Sequence, residues 1–502
     1  MEPLKALALF GVLGNHLVET FGSGPWFMNP TNDWGPLSNR IQEIFPEGTN
    51  LISIFIRVLG WIGDSAPGIF IFASGLGLVL GRYRVGNTKE TVASFFGKRL
   101  LRILPLYIAM HFLVLGVFAL TGGEGVPGFA SRMTLLSLLG LRFHPSLFFY
   151  IVPAWWFVWL IIQCYLAFPL LYRWLEKMGP APFLFLSVGL TMVSRLAENF
   201  FSTNQYYWMT GMFGGTRLDE FAAGMALAYW LARRDPASPL PKSSKVLVWA
   251  VPLYLVGICG SRTLVGSLAS NFLVTLGLTG MGYWMCTSFF PTPGRLSRIL
   301  TWIGVHSYAI YLIHSLFLME MAKFIPGAKF ANWLLAIALL AVSFPAGWVV
   351  SRGVDVLVRH GLLRQWRPSL DHAVLYSATV VILGLVALEP VLRESSRGYL
   401  LLAWLLGLSV FSLGHAEWAS PKGETDRLRV LRRTALLASI LQLWVLPPHF
   451  GWSAILLAAI SALFFESRLD RLELLSDLAE AEVDIKNRRV YSTDKVEEML
   501  LK

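Results

Sequence analysis

The stretch ILPLYIAMHFLVLGVFALT, residues 103–121, contains no Asp, Glu, Lys or Arg. At 1.5 Å rise per residue, a helix of this length nearly crosses the ~30 Å hydrocarbon core of a bilayer. Outward from it, apolar runs of similar length recur from the first ten residues to about residue 466. The 502-residue chain is 55% apolar and 15% charged, with mean hydropathy +0.57. Soluble domains carry about 25% charged residues, so an ordinary soluble enzyme is excluded. The expected fold is an all-α polytopic membrane protein.

Fourteen segments qualify as spans: 4–20, 66–82, 103–121, 154–174, 181–197, 216–232, 245–260, 268–290, 302–322, 332–352, 372–392, 398–416, 433–447 and 451–466. The apolar piece at 51–62 is interrupted by Arg57 and Gly60 and followed by Gly63, which predicts an interfacial or re-entrant element. It ends a Gly-, Pro- and Trp-rich stretch, 21–65, expected to form an irregular outer loop. The opening Met1-Glu2-Pro3 leads straight into an apolar segment without a small-residue cleavage site, so the first span is expected to stay. After Glu466, Leu469, Leu472, Leu475 and Leu478 recur at spacing three, as in an amphipathic helix.

The net charge of +11 arises from 42 Lys and Arg against 31 Asp and Glu. In a soluble protein that excess would suggest nucleic acid. In a membrane protein basic residues mark cytoplasmic loops, and no nucleic-acid partner is expected. With the N-terminus inside, Arg82, Arg84, Lys89, Lys98, Arg99 and Arg102 share the first inner loop, and both termini are cytoplasmic. Cys164, Cys259 and Cys286 are far apart in apolar runs, with neither disulfide nor zinc spacing. No internal repeat is visible, which weighs against transporter folds built from related halves.

Polar groups inside spans are functional candidates by default. His16 follows Lys5 by eleven positions, about 16 Å along a helix, so the two sit towards opposite faces of the membrane. Glu19 shares the face of His16, where a carboxylate could fix the tautomer of a general base. The alternative is an interfacial His beside a solvated Glu. Arg99 and Arg102, with Arg82, Arg84 and Lys98 nearby, suit the phosphates of a nucleotide or coenzyme; they equally suit anionic lipid. Ser74-Gly75 lies within a span, where small residues allow close packing. His314 stands near mid-membrane beyond Tyr308 and Tyr311, a position that demands a cavity or a partner. Arg217 with Asp219 or Glu220 is either an interfacial ion pair or a contact to a polyhydroxylated acceptor.

Together these elements resemble the acyltransferase 3 family of membrane acyltransferases. Lys5 and His16 match its basic-x10-His element, Phe70-Ile-Phe-Ala-Ser74-Gly75 its FFxxSG-like element, and Arg99-Leu-Leu-Arg102 its RxxR pair before Pro105 and Tyr107. Trp156, Gln163 and Tyr165 match a Trp…Gln-x-Tyr element, and Arg217…Glu220-Phe221…Gly224 a further one. Ser307-Tyr-Ala-Ile-Tyr311-Leu-Ile-His314 is similar to the late SYxxYLxH signature. Ile161 and Ile162 stand where the family often has two carboxylates, so no role of those acids carries over.

The resemblance covers residues 1–365 as a ten-span core, with four further spans in 366–466 and a cytoplasmic tail in 467–502. It implies transfer of an acyl group, most simply acetyl, from cytoplasmic acyl-CoA to a hydroxyl of an extracytoplasmic or lipid-linked glycan in the plasma (inner) membrane. His16 would act as base or acyl carrier, supported by Lys5 and Glu19, with CoA on Arg99, Arg102, Arg82 and Ser74. The acceptor would meet Arg217, Glu220, His314, Tyr311 and Trp156, and Ser74 and His314 could also line the cavity or orient His16. No metal is expected. The competing classes are a secondary transporter or lipid-linked sugar flippase, and a membrane scaffold.

Overall fold

The computed structural model describes residues 1–21, 42, 50–85, 92–121, 132–201, 207–235, 243–290, 294–325 and 330–360. The chain divides into two compact units, residues 1–90 with 96–367, and 91–95 with 368–502. The expected spans after residue 366 and the amphipathic tail lie outside the described residues, as does most of the outer stretch 22–49.

The described residues are helical and contain no strand. A helix occupies each of the ten segments expected before residue 365. These are α1 (Glu2–Phe21), α3 (Ala66–Val85), α4 (Val92–Thr121), α7 (Trp156–Met178), α8 (Pro180–Phe201), α9 (Leu218–Arg233), α10 (Ser243–Gly260), α11 (Leu264–Phe289), α12 (Arg295–Ala322) and the broken pair α13 (Phe330–Ala341) and α14 (Ser343–His360). The others are α2 (Leu51–Asp64) and two short pieces, α5 (Arg132–Leu138) and α6 (Pro145–Phe148). Among the described residues, eight helical stretches are long and apolar enough to cross a membrane.

Burial separates centre from rim. Arg295–Ala322 is mostly buried, whereas little of Ser243–Gly260 is. Trp249 and Val248 accordingly point outward, as side chains facing lipid tails do. The site therefore gathers around α12 and α1, while α10 pairs with α11 at the edge.

Residues 51–64 differ from the sequence expectation. They form a regular helix, N-capped by Asn50, whose side chain accepts from the Ser53 amide at 2.8 Å. The glycines interrupting the apolar run are the contact surface for α1. A Cβ at Gly63 would fall 1.9 Å from the Gly11 carbonyl oxygen, and one at Gly60 2.7 Å from Val18. Small residues let two backbones touch, and the buried Asn15 amide donates to the Gly60 carbonyl at 3.0 Å. Arg57 is buried in the same helix.

The α3–α9 crossing follows the same physics. A Cβ at Gly75 would meet the Phe221 carbonyl oxygen at 2.2 Å, and one at Gly224 the Phe72 carbonyl oxygen at 1.9 Å. Ser74-Gly75 therefore serves the close packing its sequence suggests, and the Ser74 hydroxyl reaches the Tyr165 hydroxyl at 3.5 Å. α1 and α12 run side by side in the same direction. A Cβ at Gly304 would touch the Glu2 carbonyl, while further along both helices His16 meets His314.

Candidate active site

A cavity of about 400 Å³ lies where α1, the α2–α3 junction, α7 and α12 converge. His16, Glu19, Asp64, Trp156, Arg217 and Tyr311 are among its lining residues. Five of these six come from the sequence expectation. Phe70, Phe149, Phe157 and Tyr308 complete an aromatic wall.

His16 is fixed from behind. His314 Nδ1 lies against the Tyr311 carbonyl oxygen, which only accepts, so that nitrogen carries the proton. His314 Nε2 is then an acceptor, and His16 donates Nδ1–H to it at 2.7 Å. The two ring planes differ by 5° with centroids 5.0 Å apart, as an in-plane, edge-to-edge hydrogen bond requires. His16 Nε2 keeps its lone pair, on a ring that borders the cavity. This is how one His nitrogen is made a base through the bond made by the other. Glu19 Oε2 stands 3.9 Å from His16 Nε2, beyond hydrogen-bond range. Fixing the tautomer therefore falls to His314. His314 is fully buried and is not among the residues lining the cavity.

Arg217 presents a second fixed group. Its Nε and Nη2 donate to the two carboxylate oxygens of Glu220, each at 2.8 Å, and Nη1 donates to the Thr210 carbonyl at 3.3 Å. Thr275 donates its hydroxyl to Glu220 Oε1 at 2.8 Å. A Cβ at Gly68 would sit 2.0 Å from that Thr275 oxygen, so the glycine makes room for the buried pair. The Arg217 guanidinium carbon also stands 6.0 Å from the Trp156 ring centre, within cation–π reach. The ion pair open in the sequence is thus a buried, bidentate Arg217–Glu220 pair at the cavity wall. The turn that delivers Arg217 passes through Gly211 at φ +134°. It is held by Gln163, which donates to the Met212 carbonyl at 3.2 Å and accepts from the Gly214 amide at 2.8 Å.

Lys5, expected beside the catalytic residues, and the donor-side candidates Arg82, Arg99, Arg102 and Ser74 are not among the residues lining the cavity. Lys5 pairs with Glu2 at 2.9 Å, and the Arg82 guanidinium lies 4.7 Å from the Tyr172 ring centre. Arg99 is partly buried and Arg102 exposed; neither lines the cavity. One link does join them to it. Tyr308, in the cavity wall, donates its hydroxyl at 3.2 Å to the carbonyl of Ile103, the residue after Arg102.

Sequence reasoning passed over Asp64, Phe149 and Phe157. Asp64 had a usable signal, a carboxylate between two apolar runs. The two phenylalanines had none, because ordinary apolar residues acquire a site role only through packing. Among the described residues no three His, Cys, Asp or Glu side chains converge as a metal site.

A family model described as an acyltransferase domain matches residues 2–352, and neither a curated protein nor a solved structure matches the chain. The matched region runs from the start of α1 into α14 and includes every residue of this cavity. It covers well over half of the sequence, and the chain belongs to the acyltransferase 3 family.

Proposed function

We propose that the protein transfers an acyl group, most simply acetyl, from cytoplasmic acyl-CoA to a hydroxyl of an extracytoplasmic or lipid-linked glycan. The observation that carries this reading is the His16 ring at the cavity with its Nδ1 engaged by His314 Nε2, which leaves Nε2 to serve as the base. In this mechanism His16 Nε2 takes the proton of the acceptor hydroxyl as its oxygen attacks the thioester carbonyl carbon. The C–S bond then breaks, and the same nitrogen returns the proton to the departing CoA sulfur. The imidazolium formed in between keeps its Nδ1–H on His314, so no hydrogen bond is lost when charge appears.

The aromatic wall suits the apolar face of a sugar ring, and Arg217, Asp64 and Glu19 suit its hydroxyls. Trp156 and Tyr311 form part of that acceptor wall, with Glu220 and His314 holding Arg217 and His16 from behind. Arg99 and Arg102 take the CoA phosphates, since guanidinium pairs phosphate in a fork. Arg82 adds charge at the same inner surface, Lys5 adds charge at the inner mouth, and Ser74 borders the path. The Tyr308–Ile103 bond supports a route from the arginines to His16. The full architecture proposed is a ten-span core of residues 1–365, four further spans in 366–466 and a cytoplasmic tail. Both termini are cytoplasmic, in a plasma (inner) membrane whose lipids surround it.

The test is the thermal shift of the purified protein with CoA and acetyl-CoA, in wild type and in an Arg99→Ala/Arg102→Ala variant. A ligand that binds only the native state stabilises it by about 2.7 kcal/mol at a hundred times its Kd. Wild type is expected to gain Tm with increasing ligand, and the variant to lose that gain while keeping its ligand-free Tm. Equal shifts in both proteins would remove the arginines from the donor site.

A further inference from the structure

Between α5 and α7 the chain is irregular on both sides of the short α6, and much of it is nonetheless buried. Leu141, Phe148, Val152 and Trp155 are fully buried, and Ile151 adopts φ +62°. That is the left-handed region, rarely occupied by β-branched residues and held only when the surroundings over-determine it. Buried irregular backbone needs internal partners for its carbonyls. Arg142, itself fully buried, supplies them.

Its Nη1 donates to the carbonyls of Leu147, Phe148 and Val152 at 3.4, 3.1 and 3.4 Å, bracketing Ile151. Its Nε donates to the Tyr107 hydroxyl and its Nη2 to Ser137 Oγ, each at 2.9 Å. The Ser137 hydroxyl donates to His111 Nε2 at 2.9 Å, because His111 Nδ1–H is engaged with the Tyr107 carbonyl at 3.0 Å. Each of these Arg142 partners is neutral. An ion buried against carbonyls, hydroxyls and the Trp155 ring, whose centre lies 5.7 Å from its guanidinium carbon, is an expensive way to hold a loop.

What the loop holds explains its presence. Phe149, Pro153, Ala154 and Trp156 line the cavity. The Ala154 carbonyl accepts from the Tyr311 hydroxyl, and Trp155 donates its indole N–H to the Leu312 carbonyl at 2.9 Å. Both contacts land on the turn of α12 whose Tyr311 carbonyl sets the His314 tautomer.

We propose that Arg142 is a positioning residue: it clamps the strained 147–152 wall, which fixes the Tyr311–His314 turn and so the nitrogen His16 presents to the cavity. The proposal deepens the acyltransferase reading, but its first test does not depend on it. Full-length wild type, Arg142→Met and Arg142→Lys are treated with diethyl pyrocarbonate well below their melting temperatures. Modification of His16 is quantified by peptide mass spectrometry against His306, which is partly exposed on the same helix. A loosened wall opens access to His16 and leaves His306 unchanged. The His16-to-His306 ratio is expected to rise at least threefold in Arg142→Met and to move less in Arg142→Lys.

An unchanged ratio in folded Arg142→Met overturns the proposal. Should that variant fail to fold, Tyr107→Phe and Ser137→Ala each remove one partner and are expected to raise the ratio in smaller steps; no rise in either overturns it equally. Acyl-CoA turnover per folded molecule is the second readout, with kcat expected at least tenfold lower in Arg142→Met and the donor KM within twofold. Turnover absent from wild type itself would count against the acyltransferase reading and leave the labelling result standing.

Discussion

His16→Gln is expected to abolish measurable acyl transfer while leaving a folded protein that still binds its donor. Glutamine is close in size, and its amide N–H₂ can donate to His314 Nε2, as His16 Nδ1–H does at 2.7 Å. It has no basic lone pair to turn towards the cavity. Removal of a positioned general base typically lowers rate by 10²–10⁴-fold, and here the loss should fall in kcat, because the donor phosphates are held elsewhere. His314→Gln separates base from orienter. Its side-chain oxygen can still accept the His16 Nδ1–H, so a smaller loss is expected than in His314→Ala. The check is transfer from labelled acetyl-CoA to membrane material, normalised to folded protein. Transfer by His16→Gln at wild-type rate would dismiss His16 as the base.

Glu220→Met is expected to produce the largest loss of stability among single substitutions at the site. Arg217 would lose two 2.8 Å charge-assisted bonds and keep the Thr210 carbonyl at 3.3 Å as a hydrogen-bond partner beside the Trp156 ring. Breaking one half of a buried ion pair costs about 3–5 kcal/mol, because the surviving charge stays desolvated. The pair replaced as a unit behaves differently. An Arg217→Met/Glu220→Met variant removes both charges and should recover most of the lost Tm. It should nonetheless remain inactive, because the cavity has lost its guanidinium. Thermal melts of the two variants decide this; recovery of activity along with Tm would reduce Arg217 to a purely structural ion pair.

How far the sequence foretold this molecule varies by element. Hydropathy located every described spanning helix, since twenty apolar residues have few alternatives to a helix in lipid. It misjudged α2, where Gly60 and Gly63 look like breaks until α1 is laid against them and a Cβ at either position would clash. His16 was legible because an imidazole inside an apolar segment needs a reason. Its partner could be named only as a nearby possibility, because His314 lies 298 positions away and only packing joins them. Glu19 looked the better orienter for the opposite reason: helical spacing makes i,i+3 neighbours visible and long-range ones invisible. Arg142 escaped notice because the segment it clamps has neither helical nor strand periodicity.

The most direct measurement is the position of the donor in a cryo-electron microscopy map of the His16→Gln protein frozen with acetyl-CoA. The predicted map has the CoA phosphates within hydrogen-bond distance of Arg99 and Arg102. The pantetheine arm passes Tyr308, and the thioester lies in the cavity beside residue 16. Acetyl-CoA bound with its phosphates on another surface, or with its thioester outside that cavity, would contradict the account.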